Sequence, residues 1–174
     1  VMEEGIDQAT QNYVKEVFDD FNISYTEGNE ITTDFVVALG IKDSGGVADT
    51  ALSYDFLDTD LFTKEDAYLL ETNNNITRII GADSDGVFRG VSTLKMMFAS
   101  FNAEKLLNVK IQDYASMNVR GFIEGFYGIW NHEQRMSLQT FAKDVKMNTF
   151  VWASKSDPYH TGKWNQLYPK DQLA

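Results

Sequence analysis

The hydrophobic pattern of this chain changes character at Asn118, and that change limits the folds open to it more than any other feature. Before it, helical spacings, short apolar runs and polar turns alternate; after it, one strand, one helix and a further strand follow directly. The charge changes at the same place. Residues 1–119 carry 8 basic and 21 acidic side chains, whereas residues 120–174 carry 7 and 5. Single domains mostly run to about 100–150 residues, so the pattern predicts one ordinary domain at residues 1–117 followed by a shorter piece at 118–174.

Within the first segment, Ile6, Ala9, Tyr13, Val17 and Phe21 recur at three- and four-residue steps with polar side chains between them, which predicts an amphipathic helix from about Asp7 to Phe21. The β-branched run Asp34 to Ile41, closed by Lys42-Asp43-Ser44-Gly45-Gly46, predicts a buried strand and a turn; residues 47–63 fit no single template. A hairpin is expected from Ala67–Thr72 and Ile76–Gly81 around Asn73-Asn74-Asn75, with a second turn at Asp83-Ser84-Asp85-Gly86. Val91, Leu94, Phe98 and Phe101 mark another helix, and Leu107 to Ile111 alternates like a half-exposed strand. The expected fold class for residues 1–117 is therefore α+β, a mostly antiparallel sheet with helices on one face.

In the second segment a strand near Arg120–Gly128 precedes a helix whose apolar face carries Leu138, Phe141, Ala142 and Val145, and Asn131 with Gln134 has capping-box spacing at its start. Asn148 to Ala153 then forms a short buried-strand candidate, so the unit suits parallel pairing.

Composition narrows the function. A chain that is 43% hydrophobic and 13% aromatic with 2 Pro builds a packed core rather than a disordered tract. Its net charge of -11 disfavours nucleic acid and anionic membrane surfaces, which need clustered Lys and Arg. No apolar run reaches the length of a membrane span, so membrane insertion is not expected. The acidic start Val1-Met2-Glu3-Glu4-Gly5 lacks the pattern of a signal peptide, so any export signal is expected to be missing or removed. The absence of Cys excludes thiolate metal sites and leaves the compartment open.

Several motifs read as decoys. Asp19-Asp20 is an adjacent acidic pair inside the first helix, where neighbouring side chains diverge by about 100°. Asp83-Ser84-Asp85-Gly86 begins like a calcium loop but lacks the later ligands, and a tight turn accounts for it better. Gly81, Gly86 and Gly90 lack the Gly-Lys-Ser/Thr of a phosphate loop, and the sequons at Asn22 and Asn75 are common by chance. His132 and His160, the only histidines, make a poor metal site, so neither a metal nor an organic cofactor is expected.

The run Arg120-Gly121-Phe122-Ile123-Glu124-Gly125-Phe126-Tyr127-Gly128 resembles the opening barrel strand of glycoside hydrolase family 84, whose members include bacterial hyaluronidase-like enzymes and O-GlcNAc hydrolases; Trp130 and Arg135 fit its continuation. Asn148 to His160, Lys163-Trp164 and Leu167-Tyr168-Pro169 are similar to that family's second strand and the loop behind it. Upstream, Ile79 to Leu94 resembles the α+β domain that precedes the barrel in hexosaminidase-type enzymes. The chain departs from the family at Ile129, where Pro is usual, and at Ser154-Lys155-Ser156-Asp157, where Pro-Lys-Asp-Asp is frequent.

This resemblance implies a hexosaminidase-type α+β domain followed by the first strand-helix-strand of a truncated TIM-type (β/α) barrel. It also implies hydrolysis of β-linked N-acetylglucosamine by substrate-assisted retaining catalysis, in which the sugar's acetamido oxygen attacks the anomeric carbon. The family's two catalytic carboxylates are adjacent Asp residues at the end of the fourth barrel strand. A complete barrel takes about 250 residues, far more than Arg120 to Ala174 offer, so no catalytic residue is assigned to this chain and it is expected to be inactive alone.

By the same resemblance, Gly125 lets the backbone approach the sugar, Tyr127 lines the pocket and Lys155 donates hydrogen bonds to sugar oxygens. Without it, Gly125 reads as a bend, Lys155 as solvated and Tyr127 as core. Asp157 and His160 are expected to brace their loop. The implied partner is an N-acetylglucosamine-containing glycan or glycoprotein, the implied location outside a bacterial cell, and a truncated barrel edge is expected to self-associate. The rival reading is a non-catalytic module for carbohydrate or protein interaction.

Overall fold

A computed structural model describes residues 1–32, 35–50, 58, 60–101 and 106–172. The chain forms two compact units, Val1–Asn118 and Val119–Ala174. Position 34, the expected start of the first strand, lies outside the described residues, as do 51–57 within the stretch that fits no template.

The first unit contains helix α1 (Gln8–Asp20), strand β1 (Val36–Ile41), the short helix α2 (Val47–Thr50), strands β2 (Tyr68–Asn73) and β3 (Ile76–Gly81), helix α3 (Ser84–Phe101) and strand β4 (Val109–Asp113). Its sheet runs β1-β3-β2-β4, with β1 parallel to β3 and β2 antiparallel to both β3 and β4. The result is an α+β unit with a mixed sheet. The hairpin closes at Asn74, whose φ of 53° is left-handed, a conformation that Asn tolerates better than most side chains.

Alternation along the strands separates two cores. Leu39, Tyr68, Leu70 and Ile79 face α1 and α3, which contribute Tyr13, Val17, Val91, Leu94 and Phe98. Val36, Ala38, Leu69 and Ile80 point the other way and meet Ala48 of α2, with Phe62 packed alongside. The long helices therefore cover one face, as the sequence pattern predicts, and a smaller layer covers the second. That second layer includes the start of the segment that fits no periodic template, because a helix of four residues is too short to display one.

Helix α1 starts where Asp7 accepts from the Thr10 N–H at 2.8 Å, and that bond holds the Asp7 carboxyl below its usual range despite opposition from burial. The expected turn at Asp83 is instead the first turn of α3: Asp83 accepts from the Gly86 N–H at 2.9 Å, and the helix then continues through Phe101. The nearby glycines serve packing. A Cβ on Gly86 would lie 2.2 Å from the Ala67 carbonyl oxygen, and one on Gly90 would lie 2.2 Å from the Ile79 side chain, so their absence lets α3 settle directly on the sheet.

The second unit consists of β5 (Gly121–Glu124), α4 (His132–Asp144) and β6 (Thr149–Trp152), with β5 and β6 paired in parallel from Gly121↔Thr149 to Glu124↔Trp152. The order of elements follows the sequence expectation, although the first strand ends at Glu124 rather than running on toward Gly128. The burial does not follow it. Val151 and Trp152 are exposed, as are Phe141 on α4 and Val145 at its C-terminal cap, while Ala142 is buried. Apolar strands of a parallel sheet are normally covered on both faces and flanked by neighbours, and here each strand is paired with only one other among the described residues.

Helix α4 carries the anticipated capping box: Asn131 accepts from the Gln134 N–H at 2.9 Å, and Gln134 accepts from the Asn131 N–H at 3.0 Å. Replacing Asn131 with Ala should cost about 1 kcal/mol, visible as a lower melting temperature of the second unit with no change in the first.

Candidate functional site

Parallel pairing of β5 with β6 brings the loops that follow both strands to the same end of the two-stranded sheet. Backbone and side-chain hydrogen bonds then join these loops. The Ala153 N–H donates to the Glu124 carbonyl at 3.2 Å and the Lys155 N–H to the Phe126 carbonyl at 3.1 Å. Ser154 Oγ donates to the Phe126 carbonyl at 3.4 Å, and Ser156 Oγ to the Tyr127 carbonyl at 2.7 Å.

Tyr127 and Lys155, distant in sequence, therefore meet, and Gly125 lies two residues before Tyr127 in the same loop. Lys155 Nζ lies 5.0 Å from the centre of the Tyr127 ring, within cation–π range, and Tyr127 is 76% exposed rather than part of a core. Gly125 stands in open surroundings: a Cβ there would meet only Ile123, at 3.7 and 3.9 Å, which is ordinary contact. Gly121, four residues earlier, is the opposite case, because its Cβ would sit 1.8 Å from the Thr149 carbonyl oxygen. Packing within the chain explains the glycine at 121 and leaves the one at 125 unexplained.

A network of charges and aromatic rings joins these loops, with Glu124 and Asp157 buried in it and Trp152 partly exposed. Glu124 is fully buried and accepts from Arg135 Nε at 2.7 Å, from Arg135 Nη2 at 3.1 Å and from the Trp130 N–H at 2.9 Å. The guanidinium holds the Glu124 carboxyl below the usual range, with the Trp130 N–H adding to it against burial. Arg135 also stacks on Trp152, its Cζ 3.8 Å from the ring centre.

Trp152 Nε1 donates in turn to Asp157 Oδ2 at 2.6 Å, the Tyr159 N–H donates to Oδ1 at 2.8 Å, and the Tyr168 hydroxyl donates to the same carboxylate. Burial opposes the charge on Asp157, but these donors together outweigh it and hold its carboxyl below the usual range. The same bond pushes the Tyr168 hydroxyl up to about 12.

Asp157 thus braces its loop, as expected. His160 is exposed and joins the loop through its backbone, the N–H donating to the Asp157 carbonyl at 3.2 Å. The buried pair Glu124 and Arg135 is the feature that sequence reasoning passed over. Its trace was visible: a carboxylate inside an apolar strand must find a cation, and Arg135 follows eleven residues later on a helix that can fold back. Among the described residues, no grouping of His, Asp and Glu has the arrangement of a metal site, and no helix is long and apolar enough to cross a membrane.

Comparison with known proteins places this geometry. Residues 120–174 match the family described as beta-N-acetylglucosaminidase, and residues 1–114 match glycosyl hydrolase family 20, domain 2. Two solved family 84 structures resemble the chain throughout. CpGH84D is 37% identical with a TM-score of 0.79, and the match covers 98% of this chain and 29% of that one. CpGH84B is 27% identical with a TM-score of 0.71, covering 99% and 29%. The β-N-acetylhexosaminidase of Bacteroides fragilis NCTC 9343, 14% identical with a TM-score of 0.57 over 87% of this chain and 27% of its own, shares the fold.

An α+β unit preceding a parallel strand-helix-strand is thus the arrangement of an N-acetylglucosaminidase-type glycoside hydrolase. The chain belongs to glycosyl hydrolase family 20, domain 2, through residues 1–114, and over its whole length it is similar to the two family 84 structures. It spans 29% of the length of each family 84 structure.

Proposed function

We propose that this chain forms the accessory domain and one wall of the sugar pocket in a hydrolase of β-linked N-acetylglucosamine. In this reading residues 118–174 begin the catalytic barrel, and Gly125, Tyr127 and Lys155 contact the sugar. The observation that carries it is Gly125, whose missing side chain serves no packing within the chain. A glycine that the fold does not need, beside an exposed aromatic ring and an ammonium, suits a backbone approached closely by a hydroxyl-rich ligand. Lys155 can donate three hydrogen bonds to sugar oxygens, and the Tyr127 ring offers an apolar face for a pyranose.

The reaction is read as substrate-assisted and retaining. The substrate's acetamido oxygen attacks the anomeric carbon as the glycosidic bond breaks, a carboxylic acid protonates the leaving oxygen, and water then opens the intermediate. Both carboxyl groups of that scheme lie outside this chain, so its own residues bind and orient. A bacterial exported protein acting on a glycan or glycoprotein fits this role, and strand edges that are unpaired among the described residues, with exposed Ile123, Val151 and Phe141, favour self-association of the chain when it is alone.

Release of nitrophenol from an aryl β-N-acetylglucosaminide tests the assignment. The purified 174-residue chain, confirmed folded, is expected to give no turnover above buffer, and a longer protein carrying the downstream barrel is expected to hydrolyse the substrate. Turnover by the short chain would show that an acid lies within it. Silence from both would favour the reading as a non-catalytic interaction module.

A further inference from the structure

We infer that Asp157 is the positioning residue of the proposed sugar-facing surface, acting through the loop that carries Lys155; the inference rests on the reading of Lys155 as a sugar contact. Asp157 is 2% exposed, although Lys155, Ser156, Pro158 and His160 around it are all exposed. A buried carboxylate in a surface loop stays there only if it is well bonded, and this one accepts from the Trp152 indole, the Tyr159 N–H and the Tyr168 hydroxyl.

These bonds hold the returning half of the loop. The Asp157 carbonyl accepts from the Thr161 N–H at 3.2 Å and from Thr161 Oγ1 at 3.0 Å, while the Asp157 N–H donates to the Ser154 carbonyl at 3.1 Å. The outgoing half is held separately, by the Ser154, Lys155 and Ser156 bonds to the carbonyls of Phe126 and Tyr127. Lys155 belongs to the outgoing anchor, two residues before Asp157, and its ammonium lies over Tyr127.

The anchors are also joined through side chains. Trp152 lies between Asp157 and Arg135, and Arg135 holds Glu124, whose backbone leads directly into Gly125. A single train of contacts, Asp157 to Trp152 to Arg135 to Glu124, thereby ties the loop of Lys155 to the strand end that presents Gly125. The Tyr168 ring, whose hydroxyl reaches the carboxylate, packs on the Tyr159 ring with centres 4.3 Å apart.

The test is NMR on the 174-residue chain and its Asp157→Asn variant, reading contacts between the Lys155 side chain and the Tyr127 ring, the Trp152 indole N–H shift, and shift changes on adding N-acetylglucosamine. Asparagine keeps the shape but turns an N–H group toward donors. The variant is expected to move the Trp152 indole signal and lose the Lys155 to Tyr127 contact, with the β5 and β6 amides unchanged. Persistence of that contact in a folded Asp157→Asn chain overturns the inference.

If Asp157→Asn unfolds the second unit, Tyr168→Phe removes one hydrogen bond to the same carboxylate, and an unweakened Lys155 to Tyr127 contact in that variant overturns the inference equally. The sugar reading fails by a different sign. No response of Gly125, Tyr127 or Lys155 to N-acetylglucosamine in the unaltered chain sinks the pocket assignment, even when the Asp157→Asn variant loses the contact as expected.

Discussion

Replacing Arg135 with Ala is expected to unfold the second unit at neutral pH and leave the first unit intact. The substitution strands the Glu124 carboxylate, fully buried, with the Trp130 N–H as its remaining named donor. Removing one partner of a buried ion pair costs about 3–5 kcal/mol. That is a large fraction of the stability of any small domain, and this unit rests on two strands of four residues each.

The pH dependence gives the pair a distinct signature. The folded-state pKa of Glu124 lies below the unfolded value of 4.5, so the pair's contribution is present above pH 4.5 and is lost as pH falls through the lowered folded value. In the Arg135→Ala chain the sign reverses. Burial without a cation favours the protonated acid, so the variant should regain structure as pH falls toward 4.5, above the range in which the parent's pair stops contributing. Near-ultraviolet circular dichroism, which reports on the packing of Trp152, follows the unit in both proteins. Equal neutral-pH melting of the two proteins would refute the assignment of the pair as the unit's principal buried contact.

A second large effect is expected from Gly121→Ala. Its new methyl would meet the Thr149 carbonyl oxygen at 1.8 Å, and the obstacle is backbone rather than a movable side chain. Relief requires β5 to part from β6, with loss of about 3 kcal/mol or more. Gly125→Ala, with contacts no closer than 3.7 Å, should melt like the parent. Thermal melts and amide exchange across residues 119–160 compare the two, and similar destabilisation by both would remove the reason for reading Gly125 as functional.

Much of this architecture was legible in the residues. The spacing of Tyr13, Val17 and Phe21 and the polar turn at Asn73 to Asn75 mark α1 and the hairpin because each depends on local periodicity and turn chemistry. The capping box of Asn131 and Gln134 is likewise a local device and was readable in advance. The first turn of α3 was harder, since Asp83-Ser84-Asp85-Gly86 has turn composition and becomes helical through the cap of Asp83 and the close seat of Gly86 on Ala67.

What the sequence determined by itself was the order and type of most elements and, through its resemblance to family 84, the nomination of three residues for the sugar. Periodicity, capping and motif identity are properties of neighbouring residues, and they survive without a fold. Only the tertiary structure decided that a second, smaller core lies behind the sheet, that Glu124 is buried against Arg135, and that Lys155 stands over Tyr127. Each of these depends on which distant segments meet. The parallel register of β5 and β6 brings Glu124 beside Trp152, and with it sets the two loops edge to edge, a juxtaposition that no local pattern encodes.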